Sequence, residues 1–393
     1  MESARPWFEA NWDADLTIGE WWERFTRSGW AFPAFPTEWF GRGLPSAEAA
    51  GVDGERRRAG AAAPPDRIGA AAIAPLLLEY GAEDQLRWLL PDTLTDRAVW
   101  CELFSEPGAG SDLAGLGTRA VRSGDEWIVN GQKVWSSGAD FARWGLLLAR
   151  TDPDVPKQAG MTCFVLEMKQ PGVDVRPLVT MTGEAEFNEV FLTDARAPNS
   201  NVVGEVGDGW TVVKAALAYE RAAMGAGRLG DNSRRPDLSQ RAGDVAAREA
   251  SGRRRGGLAA GGGAEELLRT LLTASSANGA IRDEAMQLYS LVRIARWTTR
   301  RGADASVQRL ATSEIARRQR DLYLRLEGPA AMLAGGDAPL GGVVQRLALW
   351  SPAMSIMLGT DEVQLNVIGE RVLGLPREPS VDRDVPWREI RRS

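Results

Sequence analysis

The spacing of apolar residues changes twice along this chain of 393 residues, and this pattern limits the possible folds more than any other feature. Up to about residue 95 apolar residues recur at helical intervals, as Trp21, Trp22 and Phe25 do. Between residues 99 and 205, short apolar or alternating runs lie between Gly, Pro, Asp and Asn, which is typical of strands. Helical spacing returns from Trp210 onward. The sequence therefore predicts an α+β protein in which strands lie between two helical parts.

These changes predict three domains: an N-terminal α-helical domain over 1–98, a middle β domain over 99–205 and a C-terminal α-helical domain over 206–393. The last of these includes a long helical pattern over 343–368. It also includes a segment at about 231–263 that is rich in Arg, Gly, Ala and Asp, with weak apolar periodicity. Such a composition is typical of linkers, so we expect this segment to be exposed and flexible.

Charge and hydropathy exclude several classes of partner. The net charge of -6 and the pI near 5.2 argue against nucleic acid, which requires a concentrated basic surface. No apolar run approaches the roughly 20 residues that cross a bilayer, and the start of the chain has no apolar signal-peptide core. Cys101 and Cys163 each lie in an apolar segment, which favours reduced core thiols. We expect a cytoplasmic protein with no membrane partner.

The chain contains no histidine, and this restricts the chemistry available to it. Ser-His-Asp and Cys-His catalysis and His-ligated zinc are excluded, and no other metal site is predicted. Proton transfer would therefore depend on carboxylates, Lys, Tyr or a cofactor.

A glycine-rich loop over residues 101–113, with the sequence CELFSEPGAGSDL, is the strongest candidate for a binding site. Gly108 and Gly110 would allow backbone N–H groups to approach a ligand closely, and Ser105 and Ser111 would add hydroxyl groups. The loop resembles, almost residue for residue, a signature of the acyl-CoA dehydrogenases.

The resemblance to this family extends along nearly the whole chain. Residues 124–138 (GDEWIVNGQKVWSSG), 189–198 (EVFLTDARAP) and 360–364 together with 368–378 match three further family signatures in the right order. It implies an acyl-CoA dehydrogenase-like fold, with an N-terminal helical domain, a middle β-barrel or sandwich and a C-terminal helical bundle. It also implies a homo- or hetero-oligomer, with the tetramer as the usual form.

The resemblance assigns roles to residues that match the family's motifs. Trp135 would pack on the flavin ring and Ser137 would bond near its N5 atom, while Thr360 and Glu362 would reach the FAD of a neighbouring subunit. The residues implied to bind FAD are Phe104, Ser105, Gly110, Ser111, Trp135, Ser136, Ser137, Thr360 and Glu362. Those implied to bind the substrate are Ser111, Arg221, Leu358 and Gly359.

The catalytic base distinguishes this chain from many members of the family. The common position, directly before the C-terminal Gly-Thr, holds Leu358, which cannot accept a proton. A minority of members place the base on the first long helix of the C-terminal domain, before an Arg, and this chain has Glu220 before Arg221 there. A carboxylate facing an apolar cleft would have a raised pKa and could accept a proton near neutral pH. Glu220 is therefore the candidate base.

The resemblance implies FAD-dependent α,β-dehydrogenation of an acyl-CoA to a trans-2-enoyl-CoA, with electron-transfer flavoprotein as electron acceptor. Two alternatives stay open: a non-catalytic scaffold subunit of a heteromeric acyl-CoA dehydrogenase, and an acyl-CoA oxidase. The scaffold alternative rests on two departures from the family. Ala218 replaces an Asp that touches the pantetheine amide in many members, and the Arg-Gln-Phe-Gly segment that contacts FAD is missing.

Overall fold

A computed structural model of the chain describes residues 4–225, 229–250, 262–274, 278–379 and 382–390. Helices occupy the part before the first strand, as the spacing of apolar residues predicts. They are α1 (Ala4–Asn11), α2 (Ile18–Arg27), α3 (Ser46–Arg58), α4 (Ala74–Tyr80) and α5 (Glu83–Thr93), with a π-helical turn over Gly69–Ile73 before α4. The aromatic side chains of α2 are the reason for its position, since Trp21 and Phe25 are fully buried in the core of this helical part.

The middle of the chain forms a mixed sheet, which confirms the predicted α+β class. Its strands are β1 (Trp100–Leu103), β2 (Arg119–Ser123), β3 (Glu126–Ser137), β4 (Trp144–Arg150), β5 (Met161–Glu167), β6 (Val173–Leu178), β7 (Phe187–Pro198) and β8 (Val202–Val203). The order across the sheet is β6-β7-β3-β2-β4-β5-β8, with β1 pairing in parallel with β4. All of these strands lie between residues 99 and 205, where the short apolar or alternating runs predict them.

Alternation along β1 and β4 places side chains in two different hydrophobic clusters. Trp100, Leu146 and Leu148 belong to the cluster shared with helices α4, α5 and the first helix after the sheet, α6 (Gly209–Gly225). Cys101 and Leu147 belong to a cluster on the other face, together with residues of β3 and β7. We call the first of these the α6 face of the sheet. Both cysteines are buried and free, as predicted.

Helices follow the sheet: α6, α7 (Ala242–Ala250), α8 (Gly262–Ala274), α9 (Gly279–Arg300), α10 (Ala305–Glu327), α11 (Val343–Trp350) and α12 (Asp361–Val367). The prediction of a single helical segment over 343–368 is wrong. The chain leaves the helix after α11, where Pro352 follows, and Leu358 and Gly359 adopt left-handed backbone angles with φ of 57° and 86°. A left-handed pair cannot continue a right-handed helix.

The chain divides into two compact units. The first consists of the described residues within Met1–Leu178, Ala185–Arg255 and Ser380–Ser393, and the second of those within Val179–Glu184 and Gly256–Pro379. The predicted boundaries at 98 and 205 fall within the first unit, although they coincide closely with the changes between helices and strands. In the parts of the chain that the structure describes, no helix is both long and apolar enough to cross a membrane.

The expectation of an exposed linker is corrected for residues 231–250, which belong to the first unit and make defined contacts within it. The backbone N–H of Ile68 donates to Asn232 Oδ1 at 2.9 Å, and Arg67 donates to the carbonyl groups of Asp231 and Asn232. Ala242, at the start of α7, is fully buried. The sequence pattern is weak here because these contacts use backbone and polar groups more than apolar side chains. Residues 251–261 of the predicted linker lie outside the described residues.

The hydrogen bond between Ile68 and Asn232 allows a direct test of this packing. Asn232→Ala should lower the free energy of unfolding by about 1 kcal/mol, because the Ile68 N–H loses its acceptor. Asn232→Asp keeps the acceptor oxygen and serves as the matched control. Urea unfolding of both variants measures the difference. Equal stabilities for the Ala and Asp variants would show that this hydrogen bond does not hold the segment in place.

Candidate active site

The predicted glycine-rich loop leaves the sheet at the end of β1. Phe104 is buried in the cluster on the α6 face, and the Ser105 carbonyl accepts a hydrogen bond from Val134 N–H of β3 at 2.9 Å. A tight turn follows, in which the backbone groups of Glu106 and Ala109 bond to each other. Strand β1 and the hydrogen bond from β3 therefore hold the start of the loop, while its glycine-rich part extends to the surface.

A fully buried lysine fixes the loop to β3. Lys133 Nζ lies 3.0 Å from the Phe104 carbonyl oxygen and 2.9 Å from Glu106 Oε1. Burial opposes the charge on both groups and lowers the pKa of Lys133, while Glu106 opposes that shift. Burial also disfavours the Glu106 carboxylate, but Lys133 and the hydrogen bonds from Thr118 and Gly117 hold its pKa below the usual value. The pair ties the start of the loop to β3, and Glu106 also accepts hydrogen bonds from the backbone N–H groups of Gly117 and Thr118 beyond the end of the loop.

Trp135 is exposed because of an irregularity in β3. The register between β3 and β7 shifts between Lys133 and Ser136, and Trp135 adopts a left-handed backbone angle with φ of 65°. Its side chain is 54% exposed, although both of its chain neighbours are buried. A bulge of this kind turns a side chain away from the alternating pattern. About half of the residue is thereby presented to solvent, and its indole forms a T-shaped pair with the Phe187 ring, with 5.6 Å between ring centroids.

The other predicted flavin residues of the first unit lie near these two elements. The buried Ser136 hydroxyl has no hydrogen-bond partner among the described residues, and Ser137 is half-buried where β3 pairs with Phe187 of β7. Gly110 and Ser111 are exposed in the loop. A cavity of about 280 Å³ lies beside Ser111 and is also lined by Lys157, Trp210 and Asp382, among others.

Glu220 lies on helix α6, on the stripe that packs against the sheet. Val213 and Ala216 of α6 are fully buried on the α6 face, and Leu217 packs against them. Glu220 is seven residues after Val213 and so continues the same stripe. Protein atoms surround its carboxyl group densely, and this burial raises its pKa to about 7, although Arg221 acts in the opposite direction. The predicted base is therefore a carboxyl group that titrates near neutral pH.

A second carboxyl group, Glu102, accompanies Glu220 and did not feature in the sequence prediction. Burial raises the pKa of Glu102 well above its ordinary value, and the negative charge of Glu220 raises it further. Its Oε1 atom is buried and has no hydrogen-bond partner among the described residues. The sequence contains one signal for it. Glu102 lies two residues after Trp100 and two residues before Phe104, and both of these residues are large and aromatic.

The remaining predicted residues belong to the second compact unit. The left-handed turn at Leu358 and Gly359 is fixed by Gln364, whose amide donates to the Leu358 carbonyl at 2.8 Å. Thr360 caps the start of α12, accepting from Val363 N–H at 3.3 Å, and Glu362 is exposed in its first turn. The turn is also held by the buried Arg309 side chain, which donates twice to the Met357 carbonyl.

Known families match two long parts of the sequence. The family described as acyl-CoA dehydrogenase, middle domain, matches residues 101–211, and that described as acyl-CoA dehydrogenase, C-terminal domain, matches residues 207–373. Acyl-CoA dehydrogenase IpdE1 of Mycobacterium tuberculosis is 36% identical over 359 residues, which cover 91% of this chain and 88% of the relative. The chain belongs to the acyl-CoA dehydrogenase family. The resemblance predicted from the sequence is confirmed, and with it membership of a family of flavin-dependent oxidoreductases.

Other acyl-CoA dehydrogenases give the same result. FadE34 of Mycobacterium tuberculosis is 38% identical over 354 residues; the match covers 89% of this chain, but the chain spans only 45% of that relative's length. Among solved structures, the Tcur3481-Tcur3483 steroid ACAD has a TM-score of 0.70 at 25% identity and covers 95% of this chain and 96% of its own. The ChsE4-ChsE5 complex from Mycobacterium tuberculosis has a TM-score of 0.68 at 26% identity, with coverage of 95% and 94%.

The ion pair of this acyl-CoA dehydrogenase at Lys133 can be tested by its removal. Lys133→Met should lower the free energy of unfolding by about 3 kcal/mol, because Glu106 keeps a charge in a partly buried position without its partner. Adding Glu106→Gln should recover part of this loss. Denaturant unfolding of the two single variants and the double variant measures the coupling.

The exposed pair of Arg5 and Glu9, 2.9 Å apart in α1, offers a matched control. Arg5→Met should cost less than about 0.5 kcal/mol, as is usual for surface pairs. A loss at Lys133 no larger than that at Arg5, or no recovery in the double variant, would contradict a role of this pair in holding the loop.

Proposed function

We propose that the chain is an FAD-dependent acyl-CoA dehydrogenase that removes an α and a β hydrogen from an acyl-CoA, giving a trans-2-enoyl-CoA. The observation that carries this proposal is Glu220, a carboxyl group on the sheet-facing stripe of α6 whose pKa lies at about 7. A base of this kind is matched to proton abstraction near neutral pH. The chain has no histidine that could take its place.

The described residues fit a bound FAD. The backbone of Trp135 is left-handed, and its indole is exposed. An exposed indole can stack on a flat aromatic ring. The unpaired buried hydroxyl of Ser136 and the adjacent Ser137 offer hydrogen bonds to polar atoms at the ring's edge. An added Cβ at Gly108 or Gly110 would meet nothing within 4 Å, so the backbone of this loop is open to a ligand. Phe104, Ser105 and Ser111 would complete this part of the site.

The reaction requires one proton acceptor and one hydride acceptor. A bound FAD would supply the hydride acceptor, which takes up the β hydrogen together with its electron pair. Glu220, in its ionised form, accepts the α proton on a carboxylate oxygen, and the electrons of the broken α C–H bond form the new double bond. Arg221 lies next to Glu220 and favours its charged form. For Leu358, Gly359, Thr360 and Glu362, contacts with the thioester or with the FAD of another subunit remain predictions from the family.

Several finer statements belong to the same proposal. Because one structural relative is described as a steroid ACAD, a steroid-derived acyl-CoA is the substrate class to test first. Electron-transfer flavoprotein would accept the electrons. The relatives that are complexes of two different chains support an oligomer, and they make a hetero-oligomer the first assembly to examine.

Flavin content separates this proposal from the alternative of a non-catalytic scaffold subunit. A chain that is yellow and active when purified alone is an enzyme, whereas a colourless chain that gains flavin only with a related partner is a scaffold. Oxygen consumption without an added electron acceptor would indicate an acyl-CoA oxidase. The raised pKa of Glu220 favours the enzyme, because a scaffold has no use for a base.

The proposed base is tested by Glu220→Gln, which keeps the size of the side chain but cannot accept the proton. Turnover of an acyl-CoA should fall by about a hundredfold or more, while FAD remains bound. In the parent, the rate should rise as the pH increases through about 7, because Glu220 must lose its proton before it can act. Stopped-flow measurement of flavin reduction gives both results. A variant that reduces flavin at the parent rate would exclude Glu220 as the base.

The flavin site is tested by the double variant Trp135→Ala with Ser137→Val. It should show lower flavin occupancy or a shifted flavin absorption spectrum, because the stacking surface and one hydrogen bond are lost. Trp88→Ala, at another exposed Trp in the same compact unit, is the matched control. An unchanged flavin content and spectrum in the double variant would place the flavin elsewhere.

A further inference from the structure

We propose that Glu102 is a positioning residue for Glu220: a second acidic group that keeps its proton around neutral pH, so that Glu220 alone carries the negative charge. The inference rests on the proposed function of Glu220 as the base. It adds a residue to that site and assigns the location of one proton.

The geometry of β1 places Glu102 on the α6 face of the sheet. Side chains alternate along a strand, so Trp100, Glu102 and Phe104 lie on one face and Cys101 and Leu103 on the other. Trp100 and Phe104 are members of the cluster that contains residues of α6, whereas Cys101 and Leu103 belong to the opposite cluster. Glu102 thus lies between two aromatic residues on the side of β1 that faces the cluster shared with α6.

The geometry of α6 places Glu220 on the stripe that packs into this cluster. Val213 and Ala216 pack into the same cluster as Trp100 and Phe104. Glu220 continues their stripe by helical spacing, and its charge acts directly on Glu102. Two carboxyl groups from different elements therefore both lie on the α6 face, where the charge of one acts on the other.

Two neighbouring carboxyl groups on such a face do not ionise together. Burial disfavours the charged form of each, and the charge of the first to ionise opposes that of the second. The pKa of Glu220 lies at about 7 and that of Glu102 is raised well above its ordinary value. The cation Arg221 acts on Glu220, which explains why Glu220 is the group that loses its proton first.

The proton on Glu102 has a physical consequence for Glu220. A neutral carboxyl group keeps an O–H donor, and the buried Oε1 of Glu102 has no protein partner among the described residues. An O–H dipole near Glu220 stabilises its carboxylate, whereas an ionised Glu102 would oppose it. Glu102 thus limits how far burial raises the pKa of the base.

Other titratable groups around the pair do not replace this partner. The Cys101 thiol is affected by the charge of Glu102, but it lies on the opposite face of β1 and burial raises its pKa further from neutral. On α4 and α6, the Tyr219 hydroxyl donates to Glu79 at 2.8 Å, and burial raises its pKa to about 12. Tyr80, whose pKa burial also raises, is neutral at the same pH.

The location of the proton can be measured by infrared spectroscopy, because a protonated carboxyl group has a C=O band that its ionised form lacks. In the full chain, one such band should disappear near pH 7 and a second should persist to higher pH. Glu220→Gln should remove the first and Glu102→Gln the second. Asp96, whose pKa burial raises to about 7, must be identified separately with Asp96→Asn. If Glu102→Gln removes no band that persists above the Glu220 transition, Glu102 is ionised and the proposal is wrong.

A second measurement does not depend on any change at Glu102. In Glu220→Gln the neighbouring charge is absent, so the persistent band should titrate at a pH lower by about one unit or more. An unchanged midpoint would show that the two groups do not act on each other. This readout needs neither substrate nor turnover, so it can succeed even if the chain proves to be a scaffold.

The positioning role is tested by two substitutions of different chemistry. Glu102→Gln keeps a neutral donor and should leave the pH midpoint of Glu220 in place, whereas Glu102→Leu should raise it by about one unit, because the donor is lost. The rising part of the pH profile of flavin reduction should shift with it. A midpoint lowered by Glu102→Gln would show that Glu102 carries a charge, and equal midpoints for Gln and Leu would show that it has no positioning role. If the parent reduces no flavin while both infrared results hold, only the proposed function fails.

Discussion

The geometry of the candidate site depends on one buried ion pair, that of Lys133 and Glu106. An ammonium group without solvent access is costly unless its hydrogen bonds are made, and here they go to the Phe104 carbonyl and to Glu106. Both acceptors belong to the glycine-rich loop, while Lys133 belongs to β3, two residues before Trp135. The pair therefore couples the loop and the indole, which lie far apart in sequence. An apolar pair could fill the same space, but it would not fix the direction of the Phe104 carbonyl.

The cost of a buried charge also acts on the carboxyl groups at helix α6, where it favours their neutral forms. At Lys133 two groups of opposite charge meet, and each opposes the effect of burial on the pKa of the other. At Glu220 and Glu102 two like groups meet, and burial raises the pKa of both. Histidine is the usual group that titrates near neutral pH, and this chain has none. A carboxyl group moved into that range by its surroundings can perform the same task, provided that its neighbour stays neutral.

The sequence predicts those features that depend on local periodicity. The strands around residues 126–130, 144–149 and 162–166 follow from short apolar or alternating runs, and α2 follows from the spacing of its aromatic residues. The position of Glu220 on the packed face of α6 also agrees with helical spacing from Val213. Features that depend on distant parts of the chain could not be predicted in this way. The packing of 231–250 rests on contacts such as that of Asn232 with Ile68, which leave no apolar pattern.

Two features of the site show the same limit at single residues. The exposure of Trp135 results from the register shift between β3 and β7. Simple alternation of side chains along β3 does not predict that shift. Glu102 stands in an apolar strand where a Glu is unfavourable, but the strand alone does not reveal which residue lies opposite. The role of Glu102 becomes visible only in the fold, where the charge of Glu220 on α6 acts on it. The end of α11, by contrast, has a visible signal in the sequence, because Pro352 follows its last residue closely.

The pair of Glu102 and Glu220 also bears on the choice between an enzyme and a scaffold. Burying two carboxyl groups side by side lowers the stability of the folded chain, because both ionise more easily in the unfolded state. Each raised pKa means that stability is lost as the pH rises from the unfolded value towards the folded one. A scaffold subunit would gain from replacing either residue with an apolar one, which would remove this cost and extend the cluster on the α6 face. Retaining both groups, next to Arg221, is reasonable where a proton has to be accepted at that place. The electrostatic cost itself therefore supports a catalytic chain.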